Sequence, residues 1–248
     1  MRVLSRDEFL AEGARPIDRL TSHRVEEVTS FEDLAAWVES LHEEGYGFVA
    51  TLDDVNQCVY TSGHAAEKHG LDVYEDPDLP STRDEWRETC LAAFQDPGRT
   101  VAWDDIAGTL VVTADDVAAL VDANRNPDDL LDSVSYVQRA QVSRNDLLIA
   151  ALPNGYFAGD WDPFQNHAVI RRLALRSYRL VAIGAAWLGF VRPEPLTSDD
   201  AVLVVADLAQ AYGDVEGAAP HWAELAEVLG TRRTLVLGYT EDFAETLE

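Results

Sequence analysis

The chain has 248 residues, 47% of them hydrophobic and six of them Trp, which is enough to bury a sizeable core and excludes wholesale disorder. Its 45 acidic and 19 basic residues give a formal net charge of −26, a field that repels nucleic acid and attracts cations or basic proteins. No run of about 18 apolar residues is present, so no membrane-spanning helix is expected.

The opening MRVLSRDEFLAEGARP carries charges throughout and lacks the apolar stretch of a signal peptide. With only two cysteines, Cys58 and Cys90, this predicts a reduced, cytoplasmic protein without a disulfide framework. The charge is uneven. Residues 1–124 hold 27 acids and 9 bases, net −18, and residues 125–248 hold 18 acids and 10 bases, net −8. Lys68 is the one lysine. An Arg-over-Lys, Asp-rich and Ala-rich composition is also what a GC-rich genome or a salt-adapted cytoplasm produces, so the acidity by itself does not define a function.

In chain order, a short helix is expected at Arg6–Glu12, then a link through Arg15 and Pro16, and an extended piece at Arg24–Val28. Ser30 with Asp33 three residues on starts a helix over Phe31–Glu44, whose Leu34, Trp37, Val38 and Leu41 form one apolar stripe. Gly45 stops it. A strand Tyr46–Leu52, a turn Asp53–Asn56, a returning strand Cys58–Thr61 and a Ser62-capped helix to His69 follow. A Pro-rich loop at 72–81 leads to a helix Thr82–Phe94, started by Ser81 and Asp84. Strands are expected at Thr100–Trp103 and Thr109–Val112, then a helix capped by Thr113 with Asp116.

Asn124–Asp129 is a polar break containing Pro127, the best boundary between an acidic half (1–124) and a second half (125–248), with one continuous domain as the alternative. A helix over Asp129–Gln138 and a buried strand Leu147–Leu152 come next. Asp162-Pro163 is an N-cap and first-turn pair that opens a helix to about Arg176. Tyr178–Gly184 and Trp187–Val191 form a hairpin. Ser198 opens the helix Asp199–Ala211, closed by Gly213, and a helix Pro220–Leu229, a strand Thr234–Leu237 and a short terminal helix complete the chain.

Two stretches echo one another. DEWRETCLAAF, RTVAW, TLVV and TADDVAALVDA match FQNHAVIRRLA, YRLVAIG, AAWLGFV and LTSDDAVLVVADLA as helix, strand, strand and capped helix, with Phe31–His69 as a third, poorer copy. The expected fold is therefore α+β: an antiparallel sheet built from hairpins, helices packed on it, and an internal pseudo-repeat.

Motifs for chemistry are sparse. His64 and His69 are five apart, off the spacing for paired metal ligands on a helix, and the six histidines are scattered. Cys58 and Cys90 read as packed thiols. The pairs Asp53-Asp54, Asp104-Asp105, Asp115-Asp116 and Asp199-Asp200 lack calcium-loop spacing and read as caps and turns. No metal and no cofactor is expected. The loop NGYFAGDWDPFQNH at 154–167 is the main polar–aromatic cluster, and it presents Asp160, Trp161, Asp162 and His167 as candidate binding residues, alongside Asp104 and Asp105 of the DDIAG turn. Trp161 more often turns inward in such a setting, since large aromatics are buried on average.

Within 159–214, Trp161-Asp162-Pro163, the strand Tyr178–Ile183 and Arg192–Leu196 running into Asp199–Ala211 resemble an uncharacterised family of bacterial cytoplasmic domains. In that family a Trp-[Asn/Asp]-x-x-Pro-like loop precedes a helix, a strand pair and an Arg-Pro turn. Here the loop is one residue pair shorter, and the match covers under a quarter of the chain. The family carries no catalytic residues to transfer. By association with small acidic bacterial proteins of this look, the resemblance implies an immunity or inhibitor role.

These readings point to an acidic cytoplasmic binding protein that recognises a basic protein partner, without direct nucleic-acid or membrane binding. The alternatives are an enzyme using the 154–167 loop, with His167 and Asp160 or Asp162 as acid–base groups, and a structural subunit of a bacterial complex.

Overall fold

In the computed structural model, which describes residues 1–72, 85–241 and 243–247, seven strands form one mixed sheet. In chain order they are β1 (Arg2–Ser5), β2 (Thr21–Glu26), β3 (Gly47–Thr51), β4 (Val134–Ala140), β5 (Arg179–Ile183), β6 (Trp187–Val191) and β7 (Thr234–Gly238). Their spatial order is β1-β2-β4-β3-β5-β6-β7. Neighbours are antiparallel except β3 and β5, which run parallel with Ala50 beside Ala182 and Thr51 beside Ile183.

The helices are α1 (Arg6–Ala11), α2 (Phe31–Ser40), α3 (Val55–Lys68), α4 (Ala92–Gln95, entered through a π turn at Arg87–Leu91), α5 (Ala114–Arg125), α6 (Pro163–Ala174), α7 (Ser198–Tyr212) and α8 (Ala219–Leu229). Strands β6 and β7 are buried at every position, and their nearly unbroken apolar runs are what a strand covered on both faces requires. No helix of the described residues is long and apolar enough to cross a membrane.

The α+β class agrees with the sequence reading, and so do the helix starts set by local caps. The Ser30 side chain accepts from the Asp33 amide, Thr113 and Asp116 cap each other's backbone, and Asp162 accepts from the amides of Phe164 and Gln165 with Pro163 in the first turn. Thr197, one residue before the expected Ser198, caps α7.

Several elements differ. Cys58–Thr61 is not a strand; it lies inside α3, which Asp54 caps by accepting from the Gln57 amide at 3.0 Å. Asp129–Gln138 is not a helix. A 3-10 turn at Pro127–Leu130 ends before β4, because Ser135, Tyr136 and Val137 pair with β2, and Val137 through Ala140 pair with β3, in the sheet interior. Leu147–Leu152 is a buried 3-10 segment (Asn145–Ala151), an outcome that a short apolar run cannot distinguish from a strand. Thr100–Trp103 and Thr109–Val112 form no hairpin. This stretch is pinned instead to α7: the Trp103 indole donates to Gln210 Oε1 at 3.0 Å, and Gln210 Nε2 donates to Asp104 at 3.1 Å.

The hairpin β5–β6 thus has no counterpart at 100–112, and the fold does not carry the expected internal repeat. The sheet is also mixed and draws its neighbours from distant segments, whereas hairpins alone would have made it antiparallel. The polar break near residue 124 does not separate two sheets: β4, from the second half, lies between β2 and β3 of the first. Most of the 72–81 loop and the helix start at Ser81, Thr82 and Asp84 lie outside the described residues.

Two asparagines complete the sheet from outside it. The buried Asn124 donates to Val236 O and accepts from Val236 N, pairing with β7 as a neighbouring strand would. Asn145 does the same for Leu180 of β5, at 2.9 and 2.7 Å.

Candidate functional site

Strands β3 and β5 end side by side, and in sheets with parallel strands the crevice beyond their carboxyl ends is the common place for a ligand. Beyond β3, Leu52-Asp53-Asp54 leads into α3. Beyond β5, Gly184-Ala185-Ala186 turns back into β6, closed by the Gly184 amide donating to Trp187 O at 2.7 Å. Between these segments opens a cleft of about 770 Å³. Asp53, Asp54, Asp132, Asp160 and Glu241 line it, with Leu130, Leu131, Ala185, Ala186 and Phe157 as apolar wall. No lysine or arginine is among the described lining residues.

Three of the carboxylates are used to shape the loops. Asp54 caps α3 from a backbone with φ of 26°, a conformation that L side chains adopt at a cost. Asp132 accepts from the Val55 amide at 3.2 Å, and Asp160 accepts from the amides of Phe157 and Glu241 at 3.0 and 3.3 Å.

Asp53 is different. It is 8% exposed, its Oδ2 accepts from the Ala186 amide at 3.0 Å, and its Oδ1 has no hydrogen-bond partner. Burial pushes its carboxyl up to about 7, against the partial offset from neighbouring backbone amides. Burial likewise raises Asp160, with the amides of Phe157 and Glu241 pulling the other way.

A polar network lies under the floor. Asn154, fully buried, donates to Gly184 O at 3.1 Å and to Cys58 O at 3.3 Å, and accepts from the Thr61 hydroxyl at 2.6 Å. The Tyr239 hydroxyl lies 2.7 Å from both Gly184 O and Ala185 O. Together these fix the turn on which Asp53 rests. Cys58 is packed in this network with its thiol pushed up by burial, and Cys90 is pushed up to about 12 for the same reason. Both are inert packed thiols.

An aromatic row flanks the cleft. Tyr60 and His64 rings lie 4.4 Å apart, His64 and Tyr156 5.1 Å, and Tyr156 and Phe157 5.1 Å. Tyr60 and Phe157 are more than half exposed, and Phe157 forms the lip.

Of the residues expected from the sequence, the structure places Asp160 in the cleft and separates the others. Trp161 is fully buried against Tyr212, and Asp162 is the N-cap of α6. His167 turns to another face. Its Nε2 lies 2.9 Å from Asp146 Oδ2, and Arg144 grips the same carboxylate with two bonds of 2.9 Å. Burial works to raise Asp146, but the His167 and Arg144 hydrogen bonds overcome it and hold the carboxyl well below its usual range. This pair borders a separate cavity of about 490 Å³ with Arg171.

The acid–base pairing of His167 with Asp160 or Asp162 is therefore not formed, and among the described residues no hydroxyl or thiol hydrogen-bonds to His167. Asp104 and Asp105 sit on the turn docked against α7 and do not line the cleft. Among the described residues, no three His, Cys, Asp or Glu side chains gather to hold a metal ion.

Sequence reasoning set Asp53 aside as a turn residue and did not single out Asp132 or Glu241. The available signal was position: an acidic pair directly after the apolar strand GFVATL. Fold and site together define an α+β protein with a carboxylate-lined cleft beyond its one parallel strand pair. Comparison with known protein families, with curated proteins and with solved structures finds no match for the chain.

Proposed function

We propose that this is a binding protein for a basic protein partner, docking through the cleft and its aromatic flank, as an immunity or inhibitor protein would. The observation that carries this reading is the lining itself: five acidic side chains with no lysine or arginine among the described lining residues, Lys68 standing outside the lining over the Tyr156 ring. A net charge of −26 speeds the encounter with a cationic partner, and exposed Tyr60 and Phe157, with half-buried Tyr156 between them, supply the aromatic anchors on which interfaces depend. The loops that frame the cleft are held by their own carboxylate-to-amide hydrogen bonds, which lowers the ordering cost of binding.

The test is fluorescence anisotropy with labelled octa-arginine and octa-lysine peptides between 50 and 300 mM NaCl. Affinity is expected to fall steeply with salt, and to drop about tenfold in Glu241→Lys. Asp104→Lys, with the same charge change away from the cleft, is expected to leave affinity within about twofold. Binding that ignores ionic strength, or that responds equally to both substitutions, would overturn the reading.

A further inference from the structure

We infer that the cavity beside His167 is a binding site for a phosphoryl group, held between the guanidiniums of Arg144 and Arg171 with the His167 imidazole at its floor. The cavity shares no lining residue with the carboxylate cleft, so this site is independent of the binding reading above.

The first argument is charge. In a chain of net −26, this cavity of about 490 Å³ is lined by two arginines, one histidine and a single carboxylate, Asp146. Asp146 is already taken by Arg144, whose Nε and Nη2 each donate to it at 2.9 Å. Arg171 is left unbalanced. It makes no hydrogen bond or ion pair among the described residues, and α6, which carries it, has no acidic residue. A lone surface arginine needs no ligand. Two that converge on one cavity repel each other, and an anion between them removes that cost.

The second argument is the buried floor. His167 is 3% exposed, and its Nε2 lies 2.9 Å from Asp146 Oδ2. Against its burial, Asp146 is held ionised by His167 and Arg144, so the proton of this contact sits on Nε2. The other ring nitrogen, Nδ1, makes no bond among the described residues and is not sealed from solvent. It accepts from a phosphoryl hydroxyl or, when it carries a proton, donates to a phosphoryl oxygen. The Arg144 fork keeps Nη1 free of any protein bond, and its side chain is 59% exposed, so both guanidiniums are open to a ligand in the cavity.

The third argument is the arrangement of donors. Arg144 leads into the 3-10 segment Asn145–Ala151, whereas His167 and Arg171 lie one turn apart on α6. A carboxylate offers two coplanar oxygens and suits a single guanidinium fork. A phosphoryl group offers three oxygens in a tetrahedral array, and these accept from two guanidiniums and an imidazole together. Phe94, which stands edge-on to the His167 ring, and Pro97 and Ala174 add apolar surface for whatever carries the phosphoryl group.

Amide chemical shifts of nitrogen-15-labelled protein test this in titrations with inorganic phosphate, phenyl phosphate and benzoate. The pH is about 7.5, where a phosphoryl group is mostly dianionic. Shifts are expected at residues 94–100, 144–146 and 167–174. Phenyl phosphate is expected to bind about tenfold tighter than benzoate. Arg171→Gln, an exposed change with no hydrogen bond to lose, should weaken phenyl phosphate about tenfold. Arg15→Gln, the same charge change outside the cavity lining, should leave it within about twofold.

Phenyl phosphate binding tighter than inorganic phosphate would mark a phosphorylated ligand, and inorganic phosphate binding as tightly would mark the free ion; both support the site. Benzoate binding as tightly as phenyl phosphate, or equal losses in the two variants, would overturn it. So would the absence of shifts at these residues up to about 20 mM phenyl phosphate.

Discussion

Gly184 lies so close under Asp53 that a β-carbon on residue 184 would sit 1.4 Å from Asp53 Oδ1. The same β-carbon would stand 2.9 Å from the Asp53 amide nitrogen, so rotating the carboxylate away does not relieve the contact. Gly184→Ala therefore has to move backbone in the turn that Asn154 and Tyr239 hold. The expected cost is about 1–3 kcal/mol in urea denaturation, typical of overpacking at a tight site. Cation binding in the cleft is expected to weaken in the same variant, because the carboxylate is displaced. Wild-type stability in Gly184→Ala would show that the turn is looser than its hydrogen bonds imply.

Asp53 also sets a pH signature on folding. Its folded carboxyl titrates near 7, above the ordinary aspartate range, because the neutral form is favoured by burial. That contribution is fully present below the unfolded value near 4 and is lost as pH rises through about 7. Asp53→Asn stays neutral throughout, so the variant should gain on wild type as pH rises from 4 to 8. The gain is at most roughly 4 kcal/mol. Urea midpoints at pH 5 and pH 8 measure it. A difference between variant and wild type that is flat across this range would show that Asp53 is ionised when folded.

What the sequence reveals depends on how local the determining interaction is. The starts at Ser30, Thr113 and Asp162 are readable because each cap bonds an amide two or three residues away. Strand β4 is not, because its Ser135, Gln138 and Arg139 look like a polar helix face, and their burial is decided by β2 and β3 on either side. The 100–112 segment alternates like a hairpin, yet its fate is set by Gln210 on α7. The cleft divides in the same way. Asp160 stands out within an aromatic loop, whereas Asp53 looks like any turn acid until Gly184 and Ala186, more than 130 residues on, enclose it.

The pairing of Asn124 with Val236 closes the outer edge of β7, where an open strand would otherwise present unpaired backbone groups. Asn124→Ala leaves both the amide and the carbonyl of Val236 without this partner in a buried place. A loss of about 2–4 kcal/mol is expected, from two orphaned backbone groups at the usual cost of each. Asn124→Asp keeps the acceptor but removes the donor, and should fall between the two. Chemical denaturation of the three proteins gives the ranking. Asn124→Asp more stable than wild type would contradict it.

Asp207 on α7 gives the opposite pH behaviour to Asp53. It is 6% exposed and takes Arg172 Nη2 of α6 at 2.5 Å and Arg176 Nε, from the turn just after α6, at 3.0 Å. Burial alone would raise the carboxyl, but the two arginines outweigh it and hold it below the usual aspartate range. A lowered folded value means stability that is complete above the unfolded value near 4 and is lost as pH falls through the folded one. Asp207→Asn leaves two partly buried cations without their counter-charge, so a loss of about 1–3 kcal/mol at pH 7 is expected, reduced by solvent around the arginines. The gap to wild type should begin to narrow below about pH 4 and close as pH falls through the lower folded value, where Asp207 loses its charge. Urea midpoints at pH 7 and pH 3 decide the matter: a gap as wide at pH 3 as at pH 7 would assign the loss to packing between α6 and α7, not to the ion pairs.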